Sequence, residues 1–218
     1  MKISALKQGR GNKCHVYVDG QYRLTIHMQI PVQYGISKDR LTSHAELKQW
    51  LEDSQPLFAK DYAMEILSRR SISEKELFDK VAQKHHSDAV SQEDWEDAVQ
   101  IAVDRMVELG LVDDEDYAGK LARDMAKIRK MGPIRIQREL VHKGIDRELA
   151  RETVEELECD PESDILELLE GKFAKIAEAA AENDDLKEKN RLIGRLVRLG
   201  YSYSDIKSAW ETYLEEYE

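Results

Sequence analysis

The sequence predicts a mainly α-helical protein: three tandem three-helix, helix-turn-helix-like repeats stacked into an elongated, curved body, with a small antiparallel β-hairpin or three-stranded extension at the amino terminus. Three observations predict it. Residues 1 to about 30 alternate β-branched and aromatic side chains around an Asp-Gly pair. Beyond Pro31 the apolar spacing turns helical and stays so. The helices read from that spacing then recur as one motif at intervals of roughly 50 residues, the mark of stacked units that bury their faces against one another.

In the extension, Cys14-His15-Val16-Tyr17-Val18 and Tyr22-Arg23-Leu24-Thr25-Ile26 flank Asp19-Gly20. That dipeptide between alternating runs is the strongest short hairpin signal, because both turn positions need positive φ. Lys2 to Gln8 supplies a third strand. So small a sheet is stable only when one face lies on something else.

The helices follow in order. Ser43 and Glu46 form a capping-box pattern ahead of Leu47, Trp50 and Leu51. A separate helix is expected from about Pro56 to Arg70, with Leu57, Tyr62, Ile66 and Leu67 inward. Ser73 and Glu76 repeat the capping box before Leu77, Phe78 and Val81, and residues 84–92 read as a loop. Ser91 and Asp94 open a helix whose stripe is Trp95, Val99, Ala102, Met106 and Leu109.

Gly110 closes that helix and Asp113 or Asp114 caps the next. Tyr117, Leu121, Met125 and Ile128 share one of its faces; Lys120, Arg123, Lys127, Arg129 and Lys130 occupy the other side. Gly132-Pro133 breaks the chain with proline placed as the first helical residue. Ile136, Leu140 and Val141 then oppose Arg135, Arg138 and His142 until Gly144. Asp146 caps a helix bearing Leu149, Thr153, Val154 and Leu157, ended by Cys159-Asp160-Pro161. Ser163 opens one long helix through Ile165, Leu168, Leu169, Phe173, Ile176 and Ala180, broken at residues 183–185. A helix with Leu192, Leu196 and Leu199 stops at Gly200, and a last one from Ser202 carries Ile206, Ala209, Trp210 and Leu214.

Aligned, these helices repeat. Glu139-Leu140 followed by Gly144-Ile145 corresponds to Leu196 followed by Gly200-Tyr201, with Trp210 in the place of Val154, and Glu76-Leu77 stands in the same role earlier. The expected division is residues 1–56 (hairpin and connecting helix), 57–112, 113–160 and 161–218.

Composition narrows the function. Of 218 residues 35% are charged and 41% hydrophobic, with the apolar ones periodic, which is the balance of a helix-rich globular chain. No run of about 18 apolar residues is present, so no membrane span is expected. The start, MKISALKQGRGNK, lacks the apolar core of a signal peptide, and two distant cysteines, Cys14 and Cys159, fit a reducing cytoplasm. A formal net charge of −11 argues against long-range attraction to bare nucleic acid. Against that background Lys120 to Arg151 holds ten Lys/Arg and four acids, a local excess of +6. A solvated helix face is the ordinary explanation of such a run; a contact-range partner surface is the other.

Four segments carry a resemblance: Arg69-Arg70-Ser71-Ile72-Ser73-Glu74-Lys75-Glu76-Leu77; Leu109-Gly110-Leu111-Val112-Asp113-Asp114-Glu115-Asp116-Tyr117-Ala118; Gly132-Pro133-Ile134-Arg135-Ile136; and Glu139-Leu140-Val141-His142-Lys143-Gly144-Ile145. In this order and spacing they resemble the signature segments of RecX regulatory proteins, over about residues 57–218. The resemblance implies a cytoplasmic, non-enzymatic, monomeric protein that binds the RecA recombinase and its DNA filament, with weak direct DNA binding. Members modulate RecA in DNA repair, recombination and the SOS response, usually by inhibiting strand exchange, ATP hydrolysis and co-protease activity. The side chains expected to meet the filament are Arg69, Arg70, Arg123, Lys127, Arg129, Lys130, Arg135, Arg138, Lys143, Arg191, Arg195 and Arg198, each as a positioning charge to phosphate or carboxylate.

Catalytic chemistry is not expected, nor is any cofactor. No G-x-x-x-x-G-K loop occurs, and Gly9-Arg10-Gly11 precedes a strand, not a helix. His85-His86 lacks further ligands at metal spacing, and the acids at 113–116 suit a helix start better than a calcium loop. Cys14 has no activating surroundings beyond one histidine. Trp50, Trp95 and Trp210 all sit on apolar stripes and are expected in the core. Two competing readings remain: a helix-turn-helix protein acting on duplex DNA without RecA, which needs an exposed base-reading helix, and a helical scaffold with no nucleic-acid role.

Overall fold

Three strands and eleven helices follow one another in a computed structural model that describes residues 1–84, 89–182 and 186–217. The chain divides into two units, Met1–Asp113 and Asp114–Glu218.

In the first unit β1 (Ile3–Gln8), β2 (Lys13–Val18) and β3 (Gln21–His27) form an antiparallel sheet in chain order. Asp19 and Gly20 both take positive φ (50° and 85°), the pair of left-handed residues a tight hairpin demands. Ile3, Cys14, Val16, Val18 and Ile26 point to one face, where they bury against Ile30 of the short α1 (Gln29–Gln33) and Leu47 and Trp50 of α2 (His44–Leu67). The Ser43–Glu46 capping box forms in both directions, Glu46 N–H to Ser43 Oγ at 3.2 Å and Ser43 N–H to Glu46 Oε2 at 3.0 Å.

The separate helix expected from Pro56 does not exist: α2 runs unbroken for 24 residues with Pro56 inside it. Proline removes one backbone donor and crowds the preceding turn. The two residues before it also bond back one turn through their side chains, Ser54 Oγ to Trp50 O and Gln55 Nε2 to Leu51 O, each at 2.6 Å. The carboxyl half of α2 contributes Phe58, Ala59 and Ala63 to a second core, shared with α3 (Glu74–Ala82) and α4 (Gln92–Glu108). Ser73 and Ser91 cap these helices as expected. Leu109, expected on the α4 stripe, is 48% exposed at the helix end, and Val112, just past the turn, fills the core instead.

In the second unit α5 (Asp114–Lys127), α6 (Pro133–His142) and α7 (Arg147–Glu155) enclose one core, and α8 (Pro161–Glu170), α9 (Ala174–Glu182), α10 (Leu186–Leu199) and α11 (Tyr203–Tyr217) another. The buried face of α5 is built of Ala118, Ala122, Met125 and Ala126, with Tyr117 and Leu121 at its edges. Ile128 is not on it: the helix has ended, and the side chain is 76% exposed. The long helix expected from Ser163 is two, α8 capped by Asp160 and α9, because the chain leaves helical geometry at Gly171 (φ −106°, ψ −96°) to turn Phe173 into the core. Trp50, Trp95 and Trp210 are all buried, at 1%, 0% and 8% exposure. The break expected at residues 183–185 and the His85-His86 pair lie outside the described residues. No described helix is long and apolar enough to cross a membrane.

Candidate functional site

The basic side chains of the second unit rise from three helical rows. Lys120, Arg123 and Lys127 follow one another at helical spacing on α5, Arg135, Arg138 and His142 on α6, and Arg191, Arg195 and Arg198 on α10. Each row lies opposite its helix's buried stripe: Ile136 and Leu140 on α6, Leu192 and Leu196 on α10.

The α6 and α10 rows meet end to end, and backbone atoms fix the meeting. Gly132 N–H donates to Leu199 O at 2.8 Å and Ile134 N–H to Gly200 O at 3.2 Å, so the free donors that begin α6 take the carbonyls that end α10. Neither glycine tolerates a side chain. A Cβ on Gly132 would lie 2.4 Å from the Gly200 carbonyl carbon, and one on Gly200 would lie 2.3 Å from Arg135 Cβ. Gly200 also holds φ +99°, the left-handed position after a helix that favours glycine. Across this joint Arg135 Nη1 donates to Arg198 O at 3.2 Å and Tyr201 Oη to Lys130 O at 3.1 Å.

Lys130 closes the joint from the other side. Its Nζ stands 2.6 Å from Asp164 and 2.7 Å from Glu167 on α8. These hydrogen bonds, to Asp164 foremost, hold its ammonium charged to higher pH than usual. The same residue takes φ +49°, a conformation a β-carbon resists, at the turn between α5 and α6.

The twelve sequence-expected positions therefore divide. Lys130 is engaged with two carboxylates, and Arg135 is shared between Glu139 at 3.5 Å and the Arg198 carbonyl. Arg191 pairs with Glu188 at 3.4 Å, and in the first unit Arg69 pairs with Glu65 at 2.6 Å and Arg70 with Glu76 at 2.7 Å. Exposed pairs of this kind exchange readily for an external anion, since each contributes only about 0–1 kcal/mol. Arg123, Lys127, Arg129, Arg138, Arg195 and Arg198 have no ion-pair partner among the described residues. Arg195 rests over the Phe173 ring at 5.7 Å. Arg123 and Lys127 border a cleft whose other wall carries Glu156 and Glu158, so the field there is mixed. Lys143 is half-buried in the turn after α6.

No sequence pattern announced the joint. Gly132 and Gly200 both read as helix punctuation, 68 positions apart, and nothing in either motif says that they touch. The acids at 114–116 begin α5, where Asp116 pairs with Lys120. Among the described residues no cluster of three or more His, Cys, Asp or Glu is placed to hold a metal ion.

Known proteins resemble this chain in sequence and in fold. Residues 113–154 match the family model described as RecX, second three-helix domain. A regulatory protein RecX from Clostridioides difficile (strain 630) is 28% identical over 207 residues, covering 94% of this chain and 92% of that one. Another from Mycobacterium sp. (strain JLS) is 31% identical over 144 residues, 66% of this chain and 74% of that protein. A crystal structure of a regulatory protein RecX superposes with a TM-score of 0.68 over 96% of this chain and 98% of its own, at 19% identity, a likeness of fold.

Proposed function

Because this chain belongs to the RecX family of regulatory proteins, we propose that it binds the RecA recombinase and the filament RecA forms on DNA, and that it inhibits strand exchange, ATP hydrolysis and co-protease activity without catalysing a reaction itself. It acts in the cytoplasm as a monomer. The observation that carries this reading is the α6–α10 joint, which sets Arg198 beside Arg135 on a backbone-fixed frame, with Arg138 and Arg195 about one turn further along their helices. A partner that is itself a polymer needs cations in fixed register more than it needs many of them, and residues 57–112, 113–160 and 161–218 are the units that would follow it. With a chain charge of −11, attraction acts at contact range, where each arginine meets one phosphate or carboxylate.

The test is RecA with single-stranded DNA and ATP, following hydrolysis and filament length as the protein is added. Wild type should slow hydrolysis and shorten filaments at modest molar excess. Arg138→Glu combined with Arg198→Glu should require at least about tenfold more protein, a loss of about 1.4 kcal/mol, with an unchanged melting curve. Equal inhibition by the double variant would remove the joint from the binding surface. Absence of any effect by wild type would remove RecA as the target, and stimulation would reverse the sign of the regulation.

The duplex-reading alternative is less well supported. Its candidate recognition helix, α7, spends Arg151 on Glu148 and Glu155 at 2.5 and 2.6 Å, and those carboxylates hold that guanidinium strongly charged while cancelling its outward field. A sequence-selective footprint on duplex DNA without RecA would restore it.

A further inference from the structure

The side of α10 away from its arginine row looks onto α11, and between the two helices lies an open groove of about 300 Å³. Its floor is Leu192, Leu196, Ile206 and Trp210. The volume is at the small end for a ligand site (roughly 300–1,000 Å³) and suits one or two bulky apolar side chains. Tyr203 stands at the mouth, 65% exposed, so the apolar floor continues outward onto a ring already in water. Exposed rings beside an unfilled apolar groove are the anchors that partner helices use.

Charge decides the kind of partner. Lys189 stands on one rim with its ammonium 5.7 Å from the Trp210 ring centroid, and no carboxylate pairs with it among the described residues. Lys207 stands on the other rim; its contact to Glu211 is 3.7 Å long, with both side chains about two-thirds exposed, too loose to consume the charge. Glu211 shares that second lip, so the charged side chains lining the groove are two lysines and one glutamate. The groove is thus apolar at its base, carries two lysines against one glutamate at its lips, and lies within one helical module.

We propose that this groove docks an acidic amphipathic helix of a protein partner, its bulky apolar side chains seated between α10 and α11 and its carboxylates on Lys189 and Lys207. Nucleic acid fits less well, because a phosphate backbone would use the two lysines and leave the groove itself unfilled. The site is separate from the α6–α10 joint: Lys189, Ile193 and Leu196 lie on one side of α10 and Arg191, Arg195 and Arg198 on the other. It therefore does not depend on the reading given under Proposed function.

The experiment uses the full chain and three short labelled helical peptides. One has leucine and phenylalanine along one face and glutamate elsewhere; the second replaces every glutamate by lysine; the third replaces leucine and phenylalanine by alanine. Binding is read by fluorescence anisotropy, and amide resonance shifts on the wild-type protein locate it. The first peptide should bind, shift residues of α10 and α11, and lose at least about tenfold in affinity with Lys189→Glu/Lys207→Glu. The other two peptides should bind at least about tenfold more weakly. Arg138→Glu/Arg198→Glu should bind the first peptide as wild type does. Equal binding of the lysine peptide, shifts outside α10 and α11, no binding of the first peptide, or self-association of the chain through this face would each overturn the proposal.

Discussion

Each unit of this protein holds two apolar cores, and the two units join their cores in opposite ways. In the first, one continuous helix does it: α2 gives Leu47 and Trp50 to the sheet core and Phe58, Ala59 and Ala63 to the helical core. In the second, no helix is shared. The core of α5–α7 meets that of α8–α11 through backbone contact at Gly132 and Gly200, braced by the Lys130 ion pairs. A shared helix couples cores by continuity and tolerates variation along its length, since any of several buried positions transmits the connection. A glycine-on-glycine joint concentrates the coupling at two residues that admit no side chain. The second unit also presents the arginine rows. Its cations gain fixed register from a contact that a single methyl group would destroy.

The sharpest way to break the contrast is Gly200→Ala. The new Cβ meets Arg135 Cβ at 2.3 Å and the backbone must keep φ +99°. Strained backbone costs about 1–3 kcal/mol and overpacking about 1–3 kcal/mol, so about 4 kcal/mol is expected. Amide hydrogen exchange should accelerate across α6 and α8–α11 while β1–β3 and α2–α4 keep their protection. Unchanged protection in the second unit would mean that the joint is not what couples its cores.

The corresponding cut in the first unit is Ser54→Ala. Fully buried Ser54 accepts the His27 N–H at 3.1 Å and donates to Trp50 O, tying β3 to the middle of α2. Removing the hydroxyl strands a buried amide, at a cost of about 2 kcal/mol. The loss should appear in the sheet, in faster exchange at His27 and along β2, and should leave α3 and α4 nearly as protected as before. If α4 loosens equally, α2 transmits more than its two halves bury.

These two sites also mark how far the sequence could be read. The hairpin, the serine caps, the proline at the start of α6 and the three buried tryptophans follow from local rules: periodicity, capping and turn chemistry operate within a few residues and leave a pattern there. The errors fall where a distant contact overrides a local signal. Pro56 reads as a helix start, yet α2 runs through it to bury Phe58, Ala59 and Ala63 in the helical core. Ile128 keeps the helical spacing of Met125 but the chain has already turned to bring Lys130 onto α8. Gly171 was one weak helix residue among good formers until the core drew Phe173 inward. Of the basic surface the sequence showed the residues and their helical rows, but not which would be paired. Arg70 with Glu76 and Lys130 with Asp164 meet only after folding, whereas Arg151 with Glu148 and Glu155 can be read from spacing.

Lys130 measures a weaker part of the joint. Lys130→Met removes both ion pairs and leaves the left-handed backbone in place, so about 1 kcal/mol should be lost, less in high salt. Lys130→Gly removes the same pairs but relieves the strain at φ +49°. Chemical denaturation of the two variants should therefore rank glycine as the milder change. The reverse order would mean that the lysine stem, and not its charge, holds the turn.

A loss no larger is expected at Tyr201, and it carries a pH signature. Its phenol is 2% exposed, donates to Lys130 O, and has its pKa pushed well above the usual tyrosine value of 10.0 by burial first and by Asp164, Cys159 and Glu167 next. Below pH 10 the phenol is neutral in folded and unfolded chains alike, and its stabilisation is fully present. Above that pH the unfolded chain releases the proton while the folded one keeps it, so stability falls, by up to about 1.4 kcal/mol per pH unit. Tyr201→Phe should cost about 1 kcal/mol at neutral pH for the lost hydrogen bond and flatten the decline between about pH 10 and 11.5. Lys130, whose charged form is favoured in the fold by Asp164 and Glu167, loses its contribution in the same direction, so the alkaline slope left in Tyr201→Phe falls further with Lys130→Met added, and the raised pKa values of Tyr34, Tyr62, Cys14 and Cys159 supply what remains. An alkaline denaturation profile that does not change in the double variant would show that neither group titrates at the joint, and that the two modules of the second unit are held by the glycine contact alone.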